Sequence, residues 1–523
     1  MSDDLAVPQL DGAAVEPAPE PAPATSSSST QGIRQGDRGA FGWIGWLLVA
    51  LAAVGMLAST PPSAGPDEPV HAVTAWYLSD HVLPPSSDSS FSVPASLWVK
   101  PCYAFHRDIN AGCMPARSTN SGTVSVPTSK VVDYPPPYYW VVGLGQRLAA
   151  LVGNQYADYG GRLASVGLNL LVLLAVSVYM RRRNPLWGNF LVLVSTPMSV
   201  FLGIVVNPSG WEITCAIAMA AVLSEAAWRR RSNESHDWPK TATAILVFAS
   251  LGLSTARPIG FVWAAGLTAS AIVLAPSMRL RWQLARIVCA VAPGILVGMI
   301  WVLTHRQINS STAVTSSSTI LDYVAMFADS LMYFPYRIQA MFGDLGWLDT
   351  PMPGLLLYLN IGAWAALLTR LPSIGKLAVL GGVFGMLILP SAIEVTGWSV
   401  PPLWWQGRYT LPFAAGFVLL LLLRSGRLIP RSVFAVSGIA LLSLGLMIWT
   451  NAVRYGYGID GYGLPASLVN PGISMVRLGI SAVIGAILLS VSGYLFVHAW
   501  RMKRDSGADL EPQALSSSAS NAD

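Results

Sequence analysis

The sequence predicts an all-α polytopic membrane protein with about 12 transmembrane helices, and three observations carry that prediction. The 523 residues are 53% hydrophobic and 11% charged, include 19 Trp, and have a mean hydropathy of +0.50. Apolar runs long enough to cross a bilayer as helices recur along most of the chain. Most of the 32 Lys and Arg cluster at the ends of alternate runs, the pattern that holds short loops in the cytoplasm. The net charge of +5 is therefore explained by orientation in a membrane, and no nucleic-acid footprint is visible.

Taken in order, residues 1–39 are rich in Pro, Ala, Ser and acid, too poor in large apolar groups to repay the entropy of ordering, and are expected to form a disordered cytoplasmic tail. The first apolar run, 40–59, starts too late and is too long for a cleaved signal peptide, so an anchor is expected. Further spans are expected near 161–180, 187–206, 211–228, 241–256, 258–275, 286–304, 353–370, 376–395, 409–424, 432–452 and 473–499. They complete a transmembrane domain over 40–500, followed by a second disordered cytoplasmic tail over 501–523. With both termini cytoplasmic, the basic clusters "RRR" at 181–183, "RLRWQLAR" at 279–286 and "RMKR" at 501–504 share one face.

That topology leaves two long extracytoplasmic loops, 60–160 and 305–352. The apolar stretch "YYWVVGLGQRLAALVG" at 138–153 is short and interrupted by Arg147; if it crossed, "RRR" would lie outside. It is expected to be a helix lying at the membrane interface within the first loop.

The unusual short motifs all fall on the extracytoplasmic side: "PDEP" at 66–69, "YPPPYYW" at 134–140, "NPSGWE" at 207–212, "ARP" at 256–258, "FGDLGWLDTPMP" at 342–353 and "WWQGRYTLP" at 404–412. Each has a structural reading as well. Asp67 fits a helix cap before Glu68 and Pro69. Arg257 and Arg408 at helix ends fit lipid-facing snorkelling. "PPPY" fits a rigid extended strut. His71 and His106 fit surface positions, and Glu212 and Glu394 fit interfacial acids. Cys102 and Cys113 lie close together on an oxidising side, where a disulfide is expected, whereas Cys215 and Cys289 lie within spans.

An acidic pair directly after the first span, a long loop ending in "PPPYY", an "NPSG" turn and a multi-span body resemble the GT-C superfamily of membrane glycosyltransferases. "GWLDTPMP" and "WQGRYTLP" resemble segments of a family of bacterial polytopic membrane proteins of unknown function grouped with that superfamily. The likeness covers roughly residues 40–500. It implies an enzyme of the bacterial plasma membrane that transfers a sugar from a polyprenyl-phosphate-linked donor to a cell-envelope glycan, lipid or protein acceptor.

An acceptor hydroxyl must lose its proton as it attacks the anomeric carbon, a task for a carboxylate. Asp67 is the catalytic candidate with Glu68 as its partner. Whether a divalent cation such as Mg or Mn takes part is left open; Asp67 and Glu68 would be its ligands. The leaving phosphate gains charge, so Arg257, Arg408 and Arg337 are donor-phosphate candidates. His71, Tyr134, Tyr138, Tyr139, Trp404, Trp405, Gln406 and Asp349 are candidates to contact substrate. Membrane lipids are the other partners.

Two rival readings share the fold. Twelve spans with both termini inside also suit a flippase or transporter of a lipid-linked glycan, although no internal repeat is evident. A non-catalytic scaffold of an envelope-synthesis complex would tolerate loss of Asp67.

Overall fold

The computed structural model describes residues 37–508 apart from 87–88, 115–121, 229–238, 275–280, 306–318, 396–404, 426–427, 429, 461–464 and 467–470. Trp404 and most of the two expected tails lie outside the described residues. Residues 37–39 and 501–508, assigned to those tails from sequence, are helical extensions of the first and last helices.

The chain begins with α1 (Asp37–Ser59), turns through "PPSAGPD", and enters the short α2 (Glu68–Leu78). Two strands follow, β1 (Ser90–Pro94) and β2 (Thr123–Pro127), then α3 (Pro137–Ala150) and α4 (Ala157–Met180). Next come α5 (Trp187–Val194), α6 (Pro197–Ile204), α7 (Pro208–Trp228), α8 (Lys240–Ser254), α9 (Gly260–Leu274) and α10 (Arg281–Thr304). After these lie α11 (Ile320–Met332), α12 (Phe334–Phe342) and a tiny ribbon of β3 (Asp344–Leu345) with β4 (Thr350–Pro351). The chain ends with α13 (Gly354–Leu368), α14 (Ser373–Val395), α15 (Gly407–Arg424), α16 (Pro430–Tyr457) and α17 (Met475–Ala508).

The protein is a mostly helical multi-pass membrane protein. Among the described residues six helices are long and apolar enough to cross a membrane: those at Asn154–Met180, Leu284–Thr304, Gly375–Val395, Gly407–Arg424, Pro430–Tyr457 and Met475–Arg504. Four shorter apolar helices, Trp43–Ser59, Lys240–Ser254, Gly260–Leu274 and Gly354–Leu368, lie where spans were expected.

Two expectations need revision. The run 187–206 is not one straight span: α5 and α6 meet at a bend of 79°. Thr196 stands in extended backbone and accepts from Ser199 N at 3.2 Å, and Pro197 follows at the first helical position, so a new helix starts where the old one would have continued. The segment between α1 and α4, expected to contain interfacial helices, also contains an antiparallel pair. "SFSVP" and "TVSVP" alternate small polar with larger apolar residues, and Phe91 stands opposite Val126, Val93 opposite Val124. Period-two patterning wins over five residues, too few for a helix to gain from propagation.

α3 fits the expected interfacial helix in its patterning. Tyr138, Tyr139, Val142 and Gln146 are buried against α2 and α4, while Trp140, Val141, Leu144 and Leu148 are exposed on the opposite side. At the centre, α15 packs along α7 and is 89% buried, whereas the long helix at Gly375–Val395 is 22% buried and leaves an apolar flank outward. A helix apolar all round belongs inside a bundle, and one with apolar residues still exposed belongs at the lipid boundary. The ends of α7 and α15 nearest α2 are thus held rigidly, and the candidate site is built on them.

Candidate active site at Asp67

"PDEP" and "NPSG" interlock. Asn207 Nδ2 donates to Pro66 O at 3.0 Å, Val206 N donates to Glu68 Oε1 at 3.1 Å, and Asn207 N donates to Tyr138 OH at 3.0 Å. Gly65 makes this approach possible, since a Cβ there would lie 2.9 Å from Val205.

The two adjacent acids of this turn have opposite fates. Glu68 is 3% exposed, and Arg162 Nε and Nη2 donate to its two oxygens at 2.7 Å each. Gly65 N adds a bond at 2.9 Å, and Arg162 also donates to Thr60 O and Pro61 O. Four donors fill the carboxylate, so Glu68 is a structural tie and not the partner of Asp67 in catalysis or in holding a cation. That corrects the sequence assignment. The physical reason is Arg162, a fully buried charge in α4, which burial obliges to find a carboxylate.

Asp67 precedes α2 in the capping position, but its side chain makes no cap bond. Its backbone is left-handed (φ 60°, ψ 10°), which aims the carboxylate away from the helix. The side chain stays 51% exposed and accepts from Arg408 Nη2 at 2.8 Å. Burial pushes the Asp67 carboxyl up, but Arg408, with help from Arg257, pulls it below the usual range, so it is ionised at neutral pH.

Arg408 itself is 2% exposed and poorly served. One nitrogen serves both Asp67 and Tyr409 OH, the latter at 3.3 Å, while Nε and Nη1 are buried with no partner. Arg257 approaches from the turn between α8 and α9. It donates to Ser209 Oγ at 2.8 Å and Tyr134 OH at 3.2 Å, and lies 4.1 Å from the centre of the Tyr409 ring. His71 completes the cluster. Its Nδ1 shares a hydrogen bond with Tyr139 OH at 2.9 Å, and its ring lies 6.0 Å from Tyr134. Burial, outweighing the attraction of Asp67, takes the imidazole down to about 3, so it is neutral. Burial likewise holds the Tyr139 hydroxyl protonated.

Asp67, His71, Tyr134, Tyr139, Arg257 and Arg408 therefore come together as one constellation. The other sequence candidates among the described residues do not join it. Tyr138 bonds Ser165 and the "NPSG" backbone. Arg337 is paired with Glu394 at 2.6 Å, and Glu394 also accepts from Trp405 N. Trp405 donates through its indole to Thr410 and packs on Trp263. Gln406 begins α15 with its Oε1 buried and unpartnered. Asp349 pairs with Arg454 at 3.0 Å, and Arg454 also donates to Tyr103 O, His106 O and Ile109 O. That bracket clasps the loop closed by the Cys102–Cys113 disulfide. Arg337 and Asp349 are thus charge-matched structural residues, not free ligand groups, which revises their assignment to donor and substrate.

Sequence reasoning missed Tyr409, which lies against both arginines, and Ser209, which accepts from Arg257. Both stood inside motifs already singled out, "QGRY" and "NPSG", and Tyr409 directly follows Arg408. Among the described residues no three His, Cys, Asp or Glu converge as a metal site.

No curated protein and no solved structure matches the chain. A family described as "Predicted membrane protein (DUF2142)" matches residues 49–417, which span every member of the Asp67 constellation, and the chain belongs to that family.

Proposed function

We propose that the protein is a membrane glycosyltransferase that moves a sugar from a polyprenyl-phosphate-linked donor to a cell-envelope acceptor on the extracytoplasmic face of a bacterial plasma membrane. In this reading the chain crosses about twelve times, with α5 and α6 as one broken crossing and both termini cytoplasmic. One observation carries it: a half-exposed carboxylate is held against the buried guanidinium of Arg408, two of whose nitrogens have no partner, with Arg257 beside it across the Tyr409 ring. Buried N–H groups without acceptors are costly to leave so, and an anion that fills them recovers that cost.

The donor phosphate would bind Arg408 and Arg257. In taking Arg408 it would release Asp67, and a carboxylate freed from its cation becomes a stronger base. Asp67 would then take the proton of the acceptor hydroxyl as its oxygen bonds to the anomeric carbon. The bond from that carbon to the phosphate oxygen breaks, and its electron pair stays on the phosphate. The two arginines would stabilise that charge as it develops. Neutral His71, fixed by Tyr139, would add no further positive charge beside Asp67.

The test is release of polyprenyl phosphate from labelled polyprenyl-phosphate sugars by protein in nanodiscs. Asp67→Asn should retain donor binding and lose turnover by about 10²–10⁴-fold, the range for removing a general base. Turnover equal to wild type would remove Asp67 from the chemistry. A flippase is the second reading, favoured by the α5–α6 break, because broken helices line transport paths. It predicts donor movement across a bilayer without release of polyprenyl phosphate.

A further inference from the structure

Glu212, just past the first turn of α7, is fully buried, and neither carboxyl oxygen has a hydrogen-bond partner. Other acids of the protein differ. Asp67, Glu68, Asp349 and Glu394 each hold an arginine within 3.0 Å. Glu212 has only the field of Arg257, which donates to Ser209 three residues earlier on the same side of α7. The other charged and titratable groups on elements packed around this end of α7 are accounted for. Arg408 and Tyr409 lie on α15, Tyr138 and Tyr139 on α3, and Asp158 and Arg162 on α4, where Arg162 is paired with Glu68 and also feels Asp158. Asp67, His71 and Tyr134 lie in the segment between α1 and α4, and Cys215 one turn further along α7.

We propose that Glu212 couples anion binding to proton uptake: Arg257 and Arg408 take a phosphate-bearing anion together with one proton, and that proton resides on Glu212. A sealed carboxylate with no donors is costly unless a cation offsets it. In the empty site the field of Arg257 offsets part of that cost. An anion bound to Arg257 cancels the offset and places a second negative charge nearby. Glu212 then takes a proton from solvent, its carboxylate becoming a neutral carboxyl, and returns it when the anion leaves. The inference rests on the anion site of the proposed function and not on sugar transfer.

Farnesyl methyl phosphate tests it, because a phosphodiester keeps its single charge and contributes no proton of its own. Its binding to the full chain in nanodiscs would be measured by calorimetry over pH 6–9 in buffers of different ionisation enthalpy. Wild type should take up about one proton per bound anion within that range, and its Kd should weaken by up to about tenfold per pH unit there. Glu212→Gln should bind with no uptake and a Kd independent of pH. Binding by wild type with no uptake and a flat Kd overturns the inference while leaving the anion site in place, and needs no variant. Uptake that persists in Glu212→Gln also overturns it, by assigning the proton elsewhere. Absence of binding by wild type removes the anion site and the inference with it, whereas binding without sugar transfer removes only the glycosyltransferase reading.

Discussion

Arg162 and Arg408 meet the "PDEP" turn from two sides, and they are used in different ways. Arg162 donates to both oxygens of Glu68 and to two backbone carbonyls, so the ion pair on that side is complete. Arg408 gives one nitrogen to a half-exposed Asp67 and Tyr409 and leaves two others buried without partners. The two acids are adjacent in sequence, so composition does not distinguish them. What differs is whether the protein alone satisfies the charge. A filled pair holds the turn to α4 and α6; an unfilled one, on the same rigid turn, is suited to receive something else.

The sharpest way to break this comparison is Glu68→Gln. It would leave Arg162 buried without its counter-charge, and removing one partner of a buried pair costs about 3–5 kcal/mol. Unfolding of the purified protein in mixed micelles should show that loss. A variant as stable as wild type would mean that the Arg162 side is no more structural than the Arg408 side.

Acidification should come next in size. The imidazole of His71 stays neutral down to about pH 3 in the folded protein, while an unfolded histidine protonates near 6.5. Its folded value is depressed, so its contribution is fully present above pH 6.5 and is lost as pH falls from there towards 3. Asp67 is also depressed, but from the ordinary aspartate value, so its contribution changes only below about pH 4. Between pH 4 and 6.5 the slope of unfolding free energy against pH should therefore shrink in His71→Gln. An unchanged slope in that window would place the titrating group elsewhere.

Arg408→Met should then separate function from stability. Replacing a poorly satisfied buried charge with an apolar side chain of similar length is often neutral or stabilising. Stability should stay within about 1 kcal/mol of wild type or rise, while affinity for phosphodiester falls below detection. A large loss of stability would show that Arg408, like Arg162, serves the fold.

Much of the helical plan was legible because lipid allows few alternatives: apolar runs of sufficient length become helices, and helices occupy each segment expected from sequence. The break at Thr196 was written in "STP", a cap followed by Pro, but hydropathy averages over it. At the site, "PDEP", "ARP" and "GRY" marked residues that do meet. What could not be read was pairing. Arg162 sits inside an apolar run far from Glu68 in sequence, and Arg454 reaches Asp349 across a long separation. Only the packed fold decides which of several charges cancel. Arg337 and Asp349 looked like Arg257 and Asp67 in sequence because each stood in an unusual motif, and they differ in that neighbouring helices completed their partners.

The smallest effect expected concerns the backbone of Asp67. A left-handed conformation costs a residue with a Cβ about 1–2 kcal/mol, and glycine is nearly exempt. Asp67→Ala and Asp67→Gly both delete the carboxylate and both leave Arg408 without it, so those losses cancel when the two variants are compared. What remains is the conformational term, offset in part by the greater freedom of glycine in the unfolded chain. Asp67→Gly should therefore be more stable than Asp67→Ala by about 1 kcal/mol, with both inactive in the release assay. Equal stabilities would mean that the turn relaxes once the carboxylate is gone, and that Arg408 pulls Asp67 into its left-handed backbone. A difference of the expected size would mean that the turn itself, pinned by Glu68 and Asn207, holds the backbone there and presents the carboxylate to the site.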